Sequence, residues 1–424
     1  MSLMSDKPYR CGYYDEIRPL IKYCKDGNLA EVQAWIRANN PVNPPPLPEK
    51  GHRPLTPLQV AIDVGFLSIV QALLEAGAIQ EPSGNNSPMD RALAKRRVDI
   101  IKLLVDHGFE ARNINMRDVF DTWDPELMEY FIDRGAEIEK GNPFAYAFCH
   151  RIRTAIGPFK KCLALKPSLI EQANIALRHQ CKEGKTKWIS LLLWVGADAL
   201  APGNDKYDDD EERPDDGLCA LGYAALYEHF EIFKLKQLQL DMKHSSMPRV
   251  VAYLCKKQGT QVLKTLLNDG LNPNDQENGG SSAIQQTLED LSWEFSLYSS
   301  ARDRNIDSSE SKEKIKAIHI LARYGAKWVP HDRSQINNAR KSLLKMTPDY
   351  AMEFVWIMSK YQGCCSEDIR ALVTAPTIRS HLEKHRSRLE ELLVTFQKRD
   401  DAKAETCSSP VTTTVQSSNL PPIG

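Results

Sequence analysis

The sequence predicts an all-α solenoid, in which successive helix pairs stack on one another and short hairpin or finger loops connect them. Two neighbouring segments, Phe66–Ala78 and Val98–Phe109, repeat the same short helix, and their closing glycines lie 31 residues apart. A second short helix precedes each of these segments. A chain of 424 residues also exceeds a usual single-core domain, and a core that grows by stacking accounts for this length.

The two helices of each repeat carry their own start and stop signals. Thr56 and Ser87 each precede a proline, so a hydroxyl can cap the first helix and the proline fits its first turn. The second helix has apolar residues at helical spacing and ends at Gly77 or Gly108, which suit a left-handed C-terminal conformation. These apolar residues are Ile69, Val70, Leu73 and Leu74 in one copy, and Ile100, Ile101, Leu104 and Val105 in the next.

Isolated turns predict further copies on both sides of this pair. Leu29 to Asn39 forms the second helix of an earlier copy, with Asn39 where glycine would stand. Later copies end at Gly135, Gly196, Gly270 and Gly325, and degenerate helix starts occupy residues 142–147 and 219–224. The uneven spacing of the glycines indicates that the intervening copies are eroded or carry insertions.

These residues resemble the ankyrin repeat, whose pattern is Thr-Pro-Leu-His-x-Ala, a second short helix and a Gly-Ala-Asp type turn into a hairpin finger. The resemblance covers residues 14–362, with about nine or ten helix pairs at a period of about 33 residues. It is specific at residues 55–110 and 260–328. The histidine of the motif is replaced by Gln59, Asp90, Ala145, Gly222 and Gln285. That histidine ties neighbouring repeats in the family, so its loss predicts less regular stacking of the hairpins.

The two ends of the array need caps, because a repeat cannot bury its apolar stripe alone. Residues 1–13 are predicted to be a flexible N-terminus. Residues 363–399 are predicted to form a helical cap, and the alternative for this segment is a partner-binding or coiled-coil helix. Residues 400–424 are rich in Ser, Thr and Pro and are predicted to be a disordered tail.

Insertions are predicted near residues 41–54, 203–217 and 294–311. The first contains a proline run that favours a stiff hairpin extension, or alternatively a ligand for a Pro-x-x-Pro reader. Residues 204–216 hold eight carboxylates, which favour a solvated loop or the docking of a basic partner. The polar stretch from Glu294 to Ser311 is predicted to be a loop between the two helices of one repeat.

Charge and hydropathy exclude several classes of function. Lys and Arg number 55 against 56 Asp and Glu, so the net charge of -1 predicts neither nucleic-acid binding nor attraction to an anionic membrane. The longest apolar run, Trp188 to Val195, is too short to span a bilayer, and residues 1–10 lack the apolar core of a signal peptide. Ten scattered cysteines favour reduced thiols in a cytoplasmic protein.

Motifs for catalysis and for cofactor or metal binding are weak. Gly184-Lys185-Thr186 lacks the earlier glycine and the preceding strand of a phosphate-binding loop. His381 and His385 lie at helical spacing for a metal, but no third ligand is evident nearby in sequence, and a solvated helix face is the preferred interpretation. The sequence therefore predicts no catalytic, cofactor-binding or metal-binding residue.

The resemblance implies a recognition surface, in which the fingers and first helices of successive repeats line a concave face. The positions of this chain that match the variable surface sites of the family are His52, Arg53, Asp63, Ser83, Asn86, Lys95, Asp215, Asp216 and Tyr227. The hypothesis is a non-enzymatic cytoplasmic adaptor that binds another protein on this face. The alternatives are an enzyme or small-ligand site in residues 110–260, and an effector that is delivered into another cell.

Overall fold

The computed structural model describes residues 9–46, 54–79, 87–109, 114–207, 217–276, 280–298, 309–328, 333–361 and 363–407. Throughout these ranges the ordered elements are α-helices and short 3-10 helices, with one isolated β-bridge between Arg10 and Asn43 and no strand. The predicted all-α solenoid of helix pairs is confirmed. The described parts of the fingers make turns in place of the hairpins that the family pattern implies.

The chain divides into two compact units. Unit 1 comprises residues 1–180, 191–197 and 205–214, and unit 2 comprises residues 181–190, 198–204 and 215–424. Two helices, α11 (Ile170–Lys182) and α12 (Thr186–Val195), supply residues to both units. Each unit is built from the same helix pair, repeated.

Unit 1 arranges its helices in two rows. Its helices are α1 (Tyr14–Asp26), α2 (Leu29–Arg37), α3 (Pro57–Val64), α4 (Leu67–Glu75), α5 (Pro88–Ala94), α6 (Val98–Asp106), α7 (Met116–Phe120), α8 (Pro125–Asp133), α9 (Pro143–Cys149) and α10 (Ile156–Leu165). The first helices of the pairs, α1, α3, α5, α7 and α9, contact one another in succession. The second helices form the other row, in which α2, α4 and α6 are in contact and α8 packs on α10.

Unit 2 repeats this arrangement. Its helices are α13 (Ala220–Leu226), α14 (Met247–Lys256), α15 (Thr260–Asn268), α16 (Ala283–Tyr298), α17 (Ser309–Arg323), α18 (Arg333–Lys345), α19 (Pro348–Lys360), α20 (Ser366–Val373), α21 (Pro376–His381) and α22 (Arg386–Cys407). One row runs through α13, α14, α16, α18 and α20, and the other through α15, α17, α19 and α22. Each row buries the apolar side of its helices against the neighbouring pairs.

Reciprocal side-chain caps start the first helices of the two clearest repeats. The Thr56 hydroxyl accepts a hydrogen bond from the Gln59 amide at 3.2 Å, and the Gln59 side chain accepts one from the Thr56 amide at 2.9 Å. Ser87 and Asp90 form the same box at 3.1 and 3.0 Å. The residues that replace the motif histidine therefore close the caps, and each cap contributes about 1 kcal/mol to the stability of its helix.

A left-handed residue forms the tight turn between the two helices of each pair from α1 to α15, whereas the turn from α18 to α19 has none. The described turns that have this conformation lie at Gly27, Gly65, Arg96, Trp123, Arg151, Gly184, Glu228 and Gln258. Five of these residues are not glycine, so their side chains conceal the turn from a search of the sequence for glycines. The turns show that helix pairs continue through the described part of residues 110–260, where the motif is eroded.

Asparagine side chains tie successive repeats together in both units. The Asn43 amide nitrogen donates to the Gly77 carbonyl at 2.9 Å, and its oxygen accepts from the Ile79 amide at 3.0 Å. In unit 2, Asn274 makes the same two bonds to the Gly325 carbonyl and the Lys327 amide, at 3.0 and 2.7 Å. These clamps satisfy both backbone groups of the next turn, and they link adjacent repeats where the motif histidine is missing. Asn39, which stands where glycine would end the second helix, has a left-handed φ of 57°.

The loop predicted for residues 294–311 begins too early in the sequence, because α16 continues to Tyr298 and α17 begins at Ser309. Glu294 is buried in α16 and forms an ion pair of 2.5 Å with buried Lys314 of α17. The Ser311 hydroxyl donates to the same carboxylate at 3.2 Å. These polar residues face one another between the two helices and are not solvated, so their polarity gave a misleading loop signal.

The C-terminal helices pack on the last pair of unit 2. Helix α22 contacts α19 and α20, and the buried side chains of this segment include Ile378, Leu382, Leu389 and Phe396. The helix continues to Cys407, beyond residue 399, where the sequence predicts that the tail begins. The division into array, cap and tail stays a prediction, and residues 408–424 lie outside the described residues.

A glycine substitution tests the left-handed turn. Gly65→Ala is expected to lower the free energy of unfolding by about 1–2 kcal/mol, because a Cβ is disfavoured at a φ of +85°. The new Cβ would also lie 1.5 Å from the Arg97 guanidinium, which must move. The matched control is Gly157→Ala in α10, where φ is not positive and a Cβ meets no atom within 4 Å. Urea unfolding should show the control unchanged or stabilised by about 0.5 kcal/mol, and equal losses for both variants would contradict the assignment.

The buried pair in unit 2 is tested by removing one charge and then both. Glu294→Ala leaves Lys314 buried without its carboxylate, and we expect a loss of about 3–5 kcal/mol in the free energy of unfolding. The double variant Glu294→Leu with Lys314→Met should recover most of that loss, because no charge remains buried. Urea unfolding of the wild type and of these variants measures both values. A double variant as unstable as the single one would show that the charge is not the cause.

Candidate partner-binding face

The first helices of unit 1 carry a band of polar and aromatic side chains at equivalent positions. We call this band the first-helix face and define it by Asp63, Arg91, Lys95, Arg117, Asp118, Asp121, Tyr146 and His150. Lys95 and His150 directly precede the left-handed turn residue of their pair. Arg91, Asp118 and Tyr146 each stand five residues before it. The turns therefore place these side chains at matching positions on successive helices.

The structure describes three of the residues predicted from the sequence. Asp63 is partly buried and forms a 2.6 Å ion pair with Arg91 of the next first helix. Lys95 is exposed at the end of α5. Tyr227 of unit 2 is 46% exposed and, like Lys95, directly precedes its left-handed turn residue. The other predicted residues lie outside the described part of the chain: His52, Arg53, Ser83, Asn86, Asp215 and Asp216.

Arg117 is the centre of a cluster that sequence reasoning missed. Its guanidinium carbon lies 5.4 Å from the ring centroid of Tyr146 and 5.4 Å from that of Tyr207. Its Nη2 donates to the carbonyl oxygens of Gly141 at 2.7 Å and of Tyr207 at 3.2 Å. Cation–π attraction and these hydrogen bonds hold the guanidinium between two aromatic rings.

The other members of the cluster are linked by hydrogen bonds and ring contacts. The Tyr146 hydroxyl donates to both carboxylate oxygens of Asp121 at 3.0 Å. Burial and the hydrogen bond to Asp121 raise the pKa of Tyr146 to about 12, so the phenol stays neutral at physiological pH. The Tyr146 and His150 ring centroids lie 4.3 Å apart, and His150 Nε2 is 2.9 Å from the Tyr207 hydroxyl.

Asp118 is the least favourably placed carboxylate of the face. Burial raises its pKa above the ordinary value, and the nearby carboxylates of Asp90 and Asp121 raise it further. Arg117 lowers the same pKa but does not offset the other effects. A positive group brought to this point by a partner would therefore be attracted to the ionised carboxylate.

Of the residues that the structure describes, no group of three or more His, Cys, Asp or Glu could hold a metal ion. His381 and His385 contact different groups, the Met346 carbonyl at 3.1 Å and the Asp349 carboxylate at 2.8 Å. Within the described ranges, no helix is long and apolar enough to cross a membrane.

Comparison with protein families identifies the repeat. Residues 18–118 match the family model for ankyrin repeats, in three copies. The chain contains ankyrin repeats. A search of curated proteins found no match. Among solved structures, the human ASB11 ankyrin repeat domain is 16% identical over 70% of this chain and 97% of that domain, with a TM-score of 0.21.

The matched ankyrin repeats run from within α1 to α7 and include the Asp63–Arg91 ion pair, Lys95 and Asp118. Between residues 118 and 260 the helix pairs are recognised by their left-handed turns, because the sequence pattern is eroded there. The signal that could have found Tyr146 and His150 is their distance from Arg151, which takes the turn position that glycine holds in other pairs. No comparable signal in the sequence connects Tyr207 with Arg117.

A substitution at Asp118 tests the electrostatics of the face. Since the pKa of this acid is raised in the folded protein, its ionised form costs stability at neutral pH, and the cost vanishes as the pH falls through that pKa. Asp118→Asn should therefore raise the free energy of unfolding at pH 7, by about 0.5 kcal/mol or less because the side chain is exposed.

The gain should disappear near pH 3. Urea unfolding at both pH values measures it, and Asp99→Asn on the second helix of the neighbouring pair is the control. A larger gain at pH 3 than at pH 7 would contradict the assigned electrostatics.

Proposed function

We propose that this ankyrin-repeat protein is a non-enzymatic cytoplasmic adaptor that holds another protein on its first-helix face. Ankyrin repeats form protein–protein interaction modules. The observation that carries the proposal is the band of charged and aromatic side chains that follows α3, α5, α7 and α9 at equivalent positions. The ten cysteines are scattered along the sequence without the spacing of a disulfide framework, which supports a reducing compartment.

The band has the composition and the rigidity of a binding surface. Tyrosine and arginine are enriched among the few residues that dominate the binding energy of protein interfaces, and Arg117 and Tyr146 are both present here. Both side chains are already held by neighbours, so ordering them on binding costs little entropy. An interface of about 1,600 Å² would occupy only part of such an array.

The alternative function is an enzyme or small-ligand site in residues 110–260, and only the poor match to the repeat pattern supports it. The described residues of this region continue the helix pairs, which favours the adaptor. Unit 2 has an open cleft of about 260 Å³ that contains Cys219, Arg249 and Ser246 among its lining residues. Burial raises the pKa of the Cys219 thiol, so it is protonated and a poor nucleophile at neutral pH.

The proposed face is tested by charge reversal at two positions of the predicted recognition surface, with a matched pair on the second helices as the control. Arg53→Glu with Lys95→Glu should reduce recovery of co-purifying proteins at least tenfold, because both positions belong to the predicted recognition surface. The control pair is Arg37→Glu with Lys102→Glu, which makes the same change in net charge on exposed second helices. Affinity purification followed by mass spectrometry compares the partners.

Circular dichroism melts verify that each variant is folded. Equal recovery with the two reversed pairs would reject the first-helix face as the binding surface.

A further inference from the structure

We propose that Arg117, Tyr146 and His150 form a socket that binds a tyrosine side chain of an extended segment, and that Tyr207 of the same chain fills it. This proposal rests on the proposed function, because it names a feature of the partner. A partner segment with a tyrosine would compete with Tyr207 for the socket. The contact of Tyr207 is therefore autoinhibitory.

The socket recognises each part of a tyrosine residue separately. The Tyr207 ring meets the Tyr146 ring edge to face, with 5.4 Å between centroids and an interplanar angle of 83°. The Tyr207 hydroxyl lies 2.9 Å from His150 Nε2, and the Tyr207 backbone carbonyl accepts from Arg117 at 3.2 Å. The socket thus contacts the ring, the hydroxyl and the backbone of Tyr207. A phenylalanine in its place would lose the hydroxyl contact.

The occupant comes from a distant part of the sequence and sits at the surface. Tyr207 is 90 residues from Arg117 along the chain, and it lies in the insertion predicted near residues 203–217. Tyr207 and Tyr146 are half-buried, and His150 is exposed. The apolar side chains of α7 and α9, such as Phe120 and Phe144, are buried in the core beneath the socket. Withdrawal of Tyr207 therefore leaves the helix core packed.

The socket is pre-organised by groups other than its occupant. Tyr146 is held by the Asp121 carboxylate, and Arg117 is held by the Gly141 carbonyl. Both anchors are independent of Tyr207, so the geometry of the socket is retained when Tyr207 leaves. An intramolecular occupant acts at an effective concentration of roughly millimolar, so a partner must bind well or hold further parts of the face to displace it.

The test uses a fluorescein-labelled peptide with the sequence of residues 203–209, Gly-Asn-Asp-Lys-Tyr-Asp-Asp, and fluorescence anisotropy. In the full chain, Tyr207→Ala empties the socket, and we expect it to bind the peptide at least tenfold more tightly than the wild type. A peptide with phenylalanine for tyrosine should bind several-fold more weakly. A peptide with alanine there should bind at least tenfold more weakly.

Two further variants distinguish binding in the socket from nonspecific electrostatic attraction of the peptide to the protein. Adding Arg117→Ala to Tyr207→Ala should weaken peptide binding at least tenfold. Adding Arg134→Ala should leave it unchanged, although Arg134 also lies over a tyrosine ring, that of Tyr130 at 3.6 Å. Equal peptide binding by wild type and Tyr207→Ala, or equal effects of the two arginine substitutions, would overturn the proposal.

A second substitution at position 207 keeps the test decisive if Tyr207→Ala lowers the melting temperature of the protein. Tyr207→Phe retains the ring and removes only the hydroxyl, and it should bind the peptide at least threefold more tightly than the wild type. Binding equal to that of the wild type would again overturn the socket.

The peptide assay needs no natural partner, so its result is independent of the charge-reversal experiment. Failure of peptide binding with a positive charge-reversal result rejects the socket alone. Peptide binding as expected, with no effect of the charge reversal, rejects the adaptor face and retains the socket.

Discussion

The tight left-handed turn inside each helix pair from α1 to α15 is the constraint on which the rest of the structure depends. One residue in the left-handed conformation reverses the chain between two short helices, and the reversal brings their apolar sides together. Neither helix is long enough to be stable alone, so each pair relies on its neighbours in the row. The same turn sets the position of every residue on the first helix, and it thereby aligns Arg91, Asp118 and Tyr146.

How much of the fold could be predicted depends on which residue occupies each turn between helices. Gly65 predicts a left-handed turn because glycine adopts that conformation most easily. Asn39 stands where another repeat has its closing glycine, and it is also left-handed. Trp123 and Arg151 adopt the same conformation without being glycine, so the sequence shows the pairs they connect only as degenerate copies in an eroded region. The loop predicted from Glu294 onward was wrong for a related reason. Charged residues occur both in buried ion pairs and in solvated loops, and composition does not distinguish the two.

The candidate site was harder to predict than the fold because its residues are close in the folded structure but follow no regular spacing in the sequence. Asp63 and Lys95 were found from their places in the repeat, and the structure puts both on neighbouring first helices. The contact between Arg117 and Tyr207 crosses 90 residues, and an insertion in one finger brings it about. A binding surface assembled in this way uses the repeat as a scaffold and departs from it where recognition needs a particular side chain.

The buried ion pair between α16 and α17 has a consequence for the history of the chain. Loss of either charge strands the other inside the protein, so a lineage that changes position 294 alone passes through an unstable intermediate. Substitutions at positions 294 and 314 should therefore be inherited together. Among descendants of this sequence the two sites are expected to covary, either as opposite charges or as two apolar residues, whereas exposed positions on the same helices drift independently.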